Sequence, residues 1–393
     1  MGMRSARTGA VALLVLVAAG CSTDHSSSGP ASSPSASSAP SSLVPASSVA
    51  PASSVSPASS VSPASSAAGS SGAPCATPDV AATTGCWRQV LPLGSGGFPA
   101  SPGSQDQPLW QPGRFPLTLT PRLAFHDELW MTAQTLTYSS PDGLTWTQHD
   151  KTDWGERIYQ AITYFKGKLW LFGGLDYQAR TFLNDVWSSS DGITWTKEGT
   201  AAWTPRGAQT VVVYHDQLWL FGGADHVAQD RSTDQFLNDV WVSDDGLTWT
   251  QVTDAAAWSP RDYPGVIVFD DQLYVVGGQG HTDVWRTSDG KDWTPLVAQA
   301  PWGPRHGAAH VVFDGKLWVF GGFIGTSTNA LNDVWYSDDG ITWTQQALHA
   351  PWGPRLPVAI AFRDKIWIYS GKHTGGTDNW GGDLWQMTTA AEA

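Results

Sequence analysis

Short apolar runs recur along the chain from about residue 84 to residue 388, and turn residues bound each of them. The runs are rich in Val, Trp, Phe and Thr, which favours β-strands. Four runs make one unit: one after Trp-x-Pro-Arg, one usually ending in Gly-Gly, one around Asp-Val-Trp and one around Thr-Trp-Thr. The last two appear together as LNDVWVSDDGLTWTQ at 237–251 and almost unchanged at 183–197 and 331–345. The pattern predicts an all-β fold of four-stranded units.

Turn signals separate the runs inside each unit. Asp-Gly stands between the third and fourth runs of five units, beginning at Asp142, Asp191, Asp245, Asp289 and Asp339. This pair is expected in a tight hairpin turn. Phe-Asp-Gly-Lys at 313–316 predicts a similar turn between first and second runs. Units of about 43–55 residues with four antiparallel strands match β-propeller blades.

Five units are complete, and the sixth lacks its fourth strand. The units begin near Arg114, Arg157, Arg206, Arg261, Arg305 and Arg355. The sixth has its third strand, DLWQM, at 383–387. WRQV at 87–90 matches WTQV at 249–252, a fourth strand. We therefore expect six blades, with an N-terminal strand that completes the last blade, closes the ring and removes two exposed sheet edges.

The tryptophans follow the same period. Of 23 Trp residues, all but Trp380 fall at repeated positions of the units. Stacking on sugars is one use for such rings. Packing explains the repetition better, because blades diverge outwards and large flat rings fill the widening space between them.

The repeat resembles the kelch-type β-propellers. The Pro-Arg start, Gly-Gly after the second strand, the aromatic third strand and Trp on the fourth all match over nearly all of 84–388. The first unit departs from the pattern with Thr132 and Ala133 at the Gly-Gly position, and the last with Ser370. The resemblance implies a fold of the galactose-oxidase-like superfamily, which serves many functions.

Two members of this superfamily suggest enzymatic alternatives. Galactose oxidase needs a Cys cross-linked to a Tyr and metal-binding His, whereas every Cys here has another predicted role. The exported six-bladed sialic acid epimerase (mutarotase) implies a carbohydrate-active alternative, an epimerase or a glycosidase with its site at the channel mouth. We expect no cofactor and no metal. His306 and His310 are four apart on a predicted strand, about 13 Å along it.

The N-terminus has the composition of a targeting segment. Basic residues precede an apolar run at 9–19, and small residues lead into Cys21. The run is too short to cross a membrane. We expect a lipoprotein signal peptide at 1–20, a lipidated (for example palmitate-bearing) Cys21 opening a disordered Ser/Ala/Pro tether over 21–74, and the propeller at 75–393. An ordinary secretory signal is the alternative.

Cysteine content and net charge bear on the compartment and the partners that we expect for the chain. In an exported protein Cys75 and Cys86 are expected to form a disulfide, the alternative being two free buried thiols. The net charge is −13, and basic residues form no dense run, which argues against nucleic acid as a partner. The predicted location is outside the cytoplasmic membrane, with the lipid bilayer contacted through the N-terminal acyl anchor only.

Hairpin topology predicts where a site lies. The connections from second to third strands and from fourth to first strands share one face of the disc, and they vary in length and content. Function concentrates in variable loops on a rigid scaffold. The ligand-binding candidates on this loop face are Tyr159, Tyr177, Arg180, His226, Asp262, Tyr263, His281, His306, His373, Asp378 and Trp380.

The six unit-starting arginines, Arg114 to Arg355, admit two interpretations. Each could bond backbone carbonyls and join neighbouring blades. Alternatively, a ring of guanidinium groups near the channel would attract a carboxylate or phosphate. For the whole chain we expect a monomeric, non-enzymatic scaffold that binds protein or glycan through its loop face, with no catalytic residues assigned.

Overall fold

The structure is a computed structural model of the 393-residue chain, and it describes residues 86–91, 123–133, 135–176, 178–226, 235–325, 329–369 and 384–388. These residues form strands β1 to β25 in six antiparallel sheets. Within the described ranges there is no helix, so none with the length and apolarity needed to span a bilayer. Each sheet corresponds to one predicted unit and is called a blade.

The first strand of the chain, β1 (Cys86–Leu91), belongs to blade 6. Blade 1 consists of β2 (Leu123–Phe125), β3 (Glu128–Ala133), β4 (Leu136–Ser140) and β5 (Thr147–Gln148). Blade 2 consists of β6 (Arg157–Ile158), β7 (Ala161–Phe165), β8 (Lys168–Asp176), β9 (Thr181–Ser189) and β10 (Thr196–Thr200). Blade 3 consists of β11 (Thr210–Tyr214), β12 (Gln217–His226), β13 (Gln235–Ser243) and β14 (Thr250–Thr253).

The remaining blades repeat this arrangement. Blade 4 consists of β15 (Gly265–Phe269), β16 (Gln272–Gly278), β17 (His281–Thr287) and β18 (Thr294–Val297). Blade 5 consists of β19 (Ala309–Phe313), β20 (Lys316–Phe323), β21 (Ala330–Ser337) and β22 (Trp343–Ala347). Blade 6 consists of β23 (Val358–Phe362), β24 (Lys365–Tyr369), β25 (Leu384–Thr388) and β1.

In blades 1 to 5 the strands lie in sequence order from the centre of the disc outwards, and in blade 6 β23, β24 and β25 are followed by β1 as the outermost strand. First strands of successive blades contact one another, in the series β2, β7, β11, β15, β19 and β23. The second, third and fourth strands follow by antiparallel pairing. Connections from second to third strands and from fourth to first strands therefore share a face, as predicted.

The N-terminal strand completes the last blade. β1 pairs antiparallel with β25, in the order β1-β25-β24-β23. Trp87 meets Phe320 of blade 5 edge to face, with ring centroids 6.2 Å apart. Trp249 makes the same kind of contact with Phe172, at 5.5 Å. Because Trp87 occupies the place of a fourth-strand Trp, the predicted closure is confirmed.

Side chains also join blade 6 to blade 1. The rings of Trp146 and Tyr369 meet edge to face at 5.7 Å. Arg363 Nη2 donates a hydrogen bond to the backbone oxygen of Asp127, at 3.0 Å. Leu129 and Ile360 lie in one hydrophobic cluster that spans both blades. The ring of six blades is therefore closed.

The core lies between the blades. Trp residues of the Trp-x-Pro-Arg signals and of the second and fourth strands are buried, for example Trp203, Trp170 and Trp249. These three belong to one cluster made from blades 2 and 3. Third-strand residues such as Trp241 are half-buried and pack against the clusters. The repeated rings thus serve packing, which widening gaps between blades require.

Turns between first and second strands have two residues, as predicted from Phe-Asp-Gly-Lys. Asp314 and Gly315 have φ values of +51° and +66°. Paired left-handed residues are the signature of a type I′ turn, whose twist suits antiparallel strands. All six blades use such a turn.

The Asp-Gly loops between third and fourth strands are longer than the tight hairpin turn predicted from them. In blade 3 the loop runs from Ser243, the end of β13, to Thr250, the start of β14. The Asp245 carboxylate organises it, because its Oδ1 accepts hydrogen bonds from the N–H groups of Leu247 (2.8 Å) and Thr248 (2.7 Å). The pKa of Asp245 is lowered: burial alone would raise it, but these hydrogen bonds outweigh burial.

Candidate functional site

The unit-starting arginines are buried and paired with the aspartates of the Asp-Val-Trp strands. In blade 3, Arg206 is 1% exposed. Its Nη1 and Nη2 donate to the two carboxylate oxygens of Asp239 at 2.6 and 2.8 Å. Nη1 also donates to the backbone oxygen of Gly222 at 3.1 Å. The charge of this guanidinium group is therefore neutralised inside its own blade.

Three other blades repeat the pair. The equivalent two-bond ion pairs are Arg157–Asp185, Arg261–Asp283 and Arg305–Asp333. Arg355 is also buried, and its Nε donates to the backbone oxygen of Gly353 at 2.8 Å. Arg114 lies outside the described residues. The aspartate partners were not among the predicted site residues, although one Asp and one Arg recur together in these units.

The main chains of Arg206, Arg261, Arg305 and Arg355 bond to the preceding blade. Arg206 N–H donates to the oxygen of Leu183 at 3.0 Å, and Arg206 oxygen accepts from Gly174 N–H at 2.8 Å. A Cβ on Gly173, where φ is +52°, would lie 2.8 Å from that same arginine oxygen. The Gly-Gly pair is needed because two backbones meet there without room for a side chain. The arginine thus joins two blades, because its main chain is hydrogen-bonded to one blade and its guanidinium group to the next.

Charge and burial shift the pKa values of two neighbouring residues in blade 4, Asp283 and His281. Burial raises the pKa of Asp283, but its hydrogen bond to Arg261 and the guanidinium charge outweigh burial, so the pKa is lowered. Burial lowers the pKa of His281, and the charge of Arg261 lowers it further. A His with a lowered pKa is neutral at pH 7 and can accept or donate through its two ring nitrogens.

Two predicted tyrosines meet on the loop face. Tyr159 in blade 2 and Tyr263 in blade 4 each lie two residues after their arginine, with φ values of +65° and +46°. Left-handed φ is uncommon for a large side chain. Their ring centroids are 6.0 Å apart and the rings are nearly perpendicular. The tyrosines therefore form one aromatic surface across blade 3.

Ala208 of blade 3 lies between them in the chain of backbone bonds. Its N–H donates to the oxygen of Tyr159, and its oxygen accepts from the N–H of Tyr263, both at 2.8 Å. Ala208 is left-handed as well, with φ of +56°. Three blades are thus connected by backbone hydrogen bonds at this face, and the small side chain in the middle one leaves room for the tyrosine rings.

His281 and His306 lie at the junction of blades 4 and 5. Gly280, beside His281, donates its N–H to the oxygen of Arg305 at 3.0 Å. A Cβ on Gly280 would lie 3.2 Å from His306 Nε2. His306 stacks on Phe323, with ring centroids 5.1 Å apart. The two histidines therefore belong to one part of the loop face.

The predicted strand position of His306 is wrong. It makes an isolated bridge with Phe323, and β19 begins only at Ala309. Gly307, with φ of +60°, turns the chain between them. His310 points elsewhere, because its ring atoms would lie 2.6 Å from a Cβ on Gly265 in blade 4.

The other predicted residues are more scattered. Asp262 is half-buried between Arg261 and Tyr263. Arg180 is exposed in the loop after β8, and its N–H donates to the oxygen of Asp176 at 2.9 Å. His226 ends β12, and its side chain lies outside the description. Tyr177, His373, Asp378 and Trp380 lie outside the described residues, as do Cys21 and Cys75; Cys86 lies in β1.

Potential metal ligands are dispersed in the described ranges, which contain no group of three or more His, Cys, Asp or Glu side chains placed to hold an ion. The side chains that the structure does bring together on the loop face are aromatic, imidazole and amide groups. Such groups bind uncharged polar molecules through stacking and hydrogen bonds.

Comparisons with known proteins agree with this architecture. The family described as the KLHDC2/KLHL20/DRC7 Kelch-repeats domain matches residues 126–289, and the Kelch motif matches residues 304–336. No curated protein sequence is significantly similar to the chain. A solved structure of YjhT superimposes with a TM-score of 0.59 and 16% sequence identity, covering 71% of this chain and 96% of that one. An identity this low supports the fold alone. The chain therefore contains kelch repeats, folded as a six-bladed β-propeller.

Proposed function

We propose that the chain is a non-enzymatic binding scaffold, whose loop face binds a protein or a glycan. The observation that carries the proposal is the contact between Tyr159 and Tyr263, at ring centroids 6.0 Å apart. Tyr263 remains 38% exposed, so this aromatic surface is open to a partner. Exposed Tyr side chains supply large contact area at low entropic cost.

The frame beneath this face is rigid. Ion pairs such as Arg206–Asp239 and the backbone bonds around Ala208 hold blades 2 to 4 together. A preorganised surface loses little freedom on binding, which favours affinity. The proposal therefore combines a fixed frame with side chains that do not follow the repeat.

The test compares two exposed tyrosines on opposite faces. Tyr263 lies on the loop face, whereas Tyr164, 44% exposed, lies at the end of β7 beside the turn to β8. Glycan and peptide arrays are probed with the full chain and with Tyr263→Ala and Tyr164→Ala. We expect a bound probe to be lost with Tyr263→Ala, by at least tenfold, and retained with Tyr164→Ala. Equal binding by both variants would overturn the loop-face proposal.

The location proposed for the scaffold is outside the cytoplasmic membrane. It is supported by the apolar run at 9–19 followed by Cys21, and by the Ser/Ala/Pro composition of 22–74. A lipid on Cys21 would tether a monomeric propeller to the bilayer. Labelling cells with an alkyne analogue of palmitate tests this: the wild-type chain takes up label and Cys21→Ala does not. Label on the variant would contradict the anchor.

A carbohydrate-active enzyme, such as an epimerase or glycosidase, is the second candidate. The specific observation is His281, whose pKa is lowered by burial and by Arg261, beside Gly280, where an added Cβ would lie 3.2 Å from His306 Nε2. A neutral imidazole can accept a proton. Sugars bound in the arrays are incubated with the chain and followed by NMR. Turnover that disappears with His281→Ala or with His306→Ala would replace the non-enzymatic proposal.

A further inference from the structure

Two buried glutamines lie beneath the loop face with unmet hydrogen-bonding capacity. Gln160 in blade 2 and Gln209 in blade 3 are 4% and 5% exposed. Each directly precedes the innermost strand of its blade. Gln209 Nε2 donates to the oxygen of Phe172 at 2.9 Å. Within the described structure, Gln209 Oε1 and both amide atoms of Gln160 have no hydrogen-bond partner.

The two glutamines flank the same Gly-Gly pair. A Cβ on Gly174 would lie 2.9 Å from the backbone nitrogen of Gln160. A Cβ on the neighbouring Gly173 would lie 3.2 Å from Gln209 Nε2. Both residues therefore lie at the junction of blades 2 and 3, directly after the left-handed residues Tyr159 and Ala208.

Packing of the repeat does not require these amides. The equivalent residues of blades 4, 5 and 6, three after each arginine, are Pro264, Ala308 and Val358. A buried amide group without a partner costs about 1–3 kcal/mol. An apolar residue at either position would avoid that cost. The glutamines are therefore better explained by a molecule that they bind than by the frame.

A third polar side chain, that of Asp225, belongs to the same region. Asp225 follows Ala224, which bridges to Gly207, two residues before Gln209 in blade 3. Asp225 Oδ1 is buried and has no hydrogen-bond partner among the described residues. The amides and this carboxylate offer acceptors and donors that match the hydroxyl groups of a sugar.

The local charges favour an uncharged ligand. Arg157 and Arg206, the guanidinium groups nearest in sequence, are each held by two bonds to an aspartate. Each ion pair is neutral overall, so it attracts a carboxylate or phosphate only weakly. Asp225 would repel such an anion, whereas a neutral hydroxyl can donate to it.

We infer that Gln160, Gln209 and Asp225, beneath the Tyr159–Tyr263 pair, form a subsite for a neutral glycan. The inference rests on the proposed function and narrows its ligand class. The tyrosine rings supply the flat apolar surface on which sugar rings stack. Because the amide atoms are buried, the two tyrosine side chains must rotate apart, above an unchanged backbone frame, for sugar hydroxyls to reach the amides.

The test separates stability from binding. The full chain is titrated by calorimetry with cellohexaose, maltohexaose, xylohexaose and mannohexaose, and with sialyllactose as an anionic probe. Gln160→Leu should raise the unfolding temperature, because it removes two buried unpaired atoms, yet weaken binding of a neutral hexaose at least tenfold. Gln346→Leu is the matched control: its Oε1 is also buried without a partner, but it lies on the outer strand β22 of blade 5.

Three results would overturn the inference. They are unchanged affinity in both Gln160→Leu and Gln209→Leu, sialyllactose bound as tightly as the neutral hexaoses, and no hexaose bound at all. The proposed function is judged separately with Tyr263→Ala. If that variant loses ligand while Gln160→Leu retains it, the loop face binds and the amide subsite does not. If both variants retain it, both proposals fail.

Discussion

Arg206 donates two hydrogen bonds to the carboxylate of Asp239, while its main chain is bonded to Leu183 and Gly174 of the preceding blade. One residue thus belongs to two blades. The repeated phrase that contains the aspartate also contributes Asn238, whose Nδ2 donates to the oxygens of Ala256 and Trp258. The phrase therefore builds the joint between blades.

Removing one partner of this pair should be costly. Asp239→Ala leaves the Arg206 guanidinium buried and uncompensated, so we expect a loss of about 3–5 kcal/mol in unfolding free energy. Urea denaturation followed by Trp fluorescence measures it. The control is Asp216→Ala, which breaks the exposed Lys166–Asp216 pair and should change stability by less than about 1 kcal/mol. Similar losses in the two variants would mean that the buried pair is not a joint.

Acid should weaken the joints that contain Asp185 and Asp283. The pKa values of Asp185 and Asp283 are lowered in the folded chain, whereas unfolded Asp has a pKa of about 3.9. Their stabilisation is therefore complete above that value and is lost as pH falls towards the lowered folded pKa. Urea midpoints from pH 6 to pH 2 measure this. Asp283→Asn, which cannot titrate, should show a shallower fall, and an identical slope would contradict the assignment.

The Gly-Gly pairs should not tolerate even a methyl group. A Cβ on Gly222, where φ is +54°, would lie 2.9 Å from the backbone oxygens of both Arg261 and Leu237. Backbone atoms cannot rotate away, so Gly222→Ala should cost about 2–5 kcal/mol. Gly155, with φ of +81° and nothing within 4 Å of a Cβ, is the control. Gly155→Ala should cost about 1–2 kcal/mol from backbone strain alone; equal costs would show that space is not limiting.

Ring closure predicts that Trp87 behaves like a Trp inside the repeat. Trp87→Ala should lower the unfolding free energy by about 3 kcal/mol, because the ring packs on Phe320 and Trp352. Trp249→Ala provides the comparison from a central blade, and Tyr164→Ala the exposed control. Thermal denaturation measures all three. A Trp87 variant as stable as wild type would contradict a structural role for β1.

The fold was largely predictable because the length of each unit can be read directly from the repeated sequence. Turn pairs, Gly-Gly and Trp recur at fixed offsets, so the six blades and the displaced fourth strand at 87–90 followed from counting. The Arg206–Asp239 contact was missed because its partners are 33 residues apart and the aspartate lies within a phrase that resembled a hairpin. Their joint recurrence was the signal that could have revealed it.

The sequence predicts which face of the propeller carries the candidate site, but not which side chains meet there. Tyr159 and Tyr263 were selected because they follow the repeated arginine, but their contact depends on left-handed φ values and on Ala208 between them. Local sequence does not specify such a conformation for tyrosine. Gln160 and Gln209 were not predicted, because an amide without a partner costs free energy only when it is buried, and residue type does not reveal burial.

The pairing of Cys86 with Thr388 has a consequence for how the chain matures. β1 precedes blades 1 to 5 in the sequence, whereas its partner β25 follows them. Blades 1 to 5 can assemble during synthesis, but blade 6 is complete only after β25 has been made. Contacts so distant in sequence form slowly. Until they form, β25 and β1 each present an open hydrogen-bonding edge, so the interval between synthesis of β25 and its pairing with β1 is when the molecule is most prone to pair with another copy of itself.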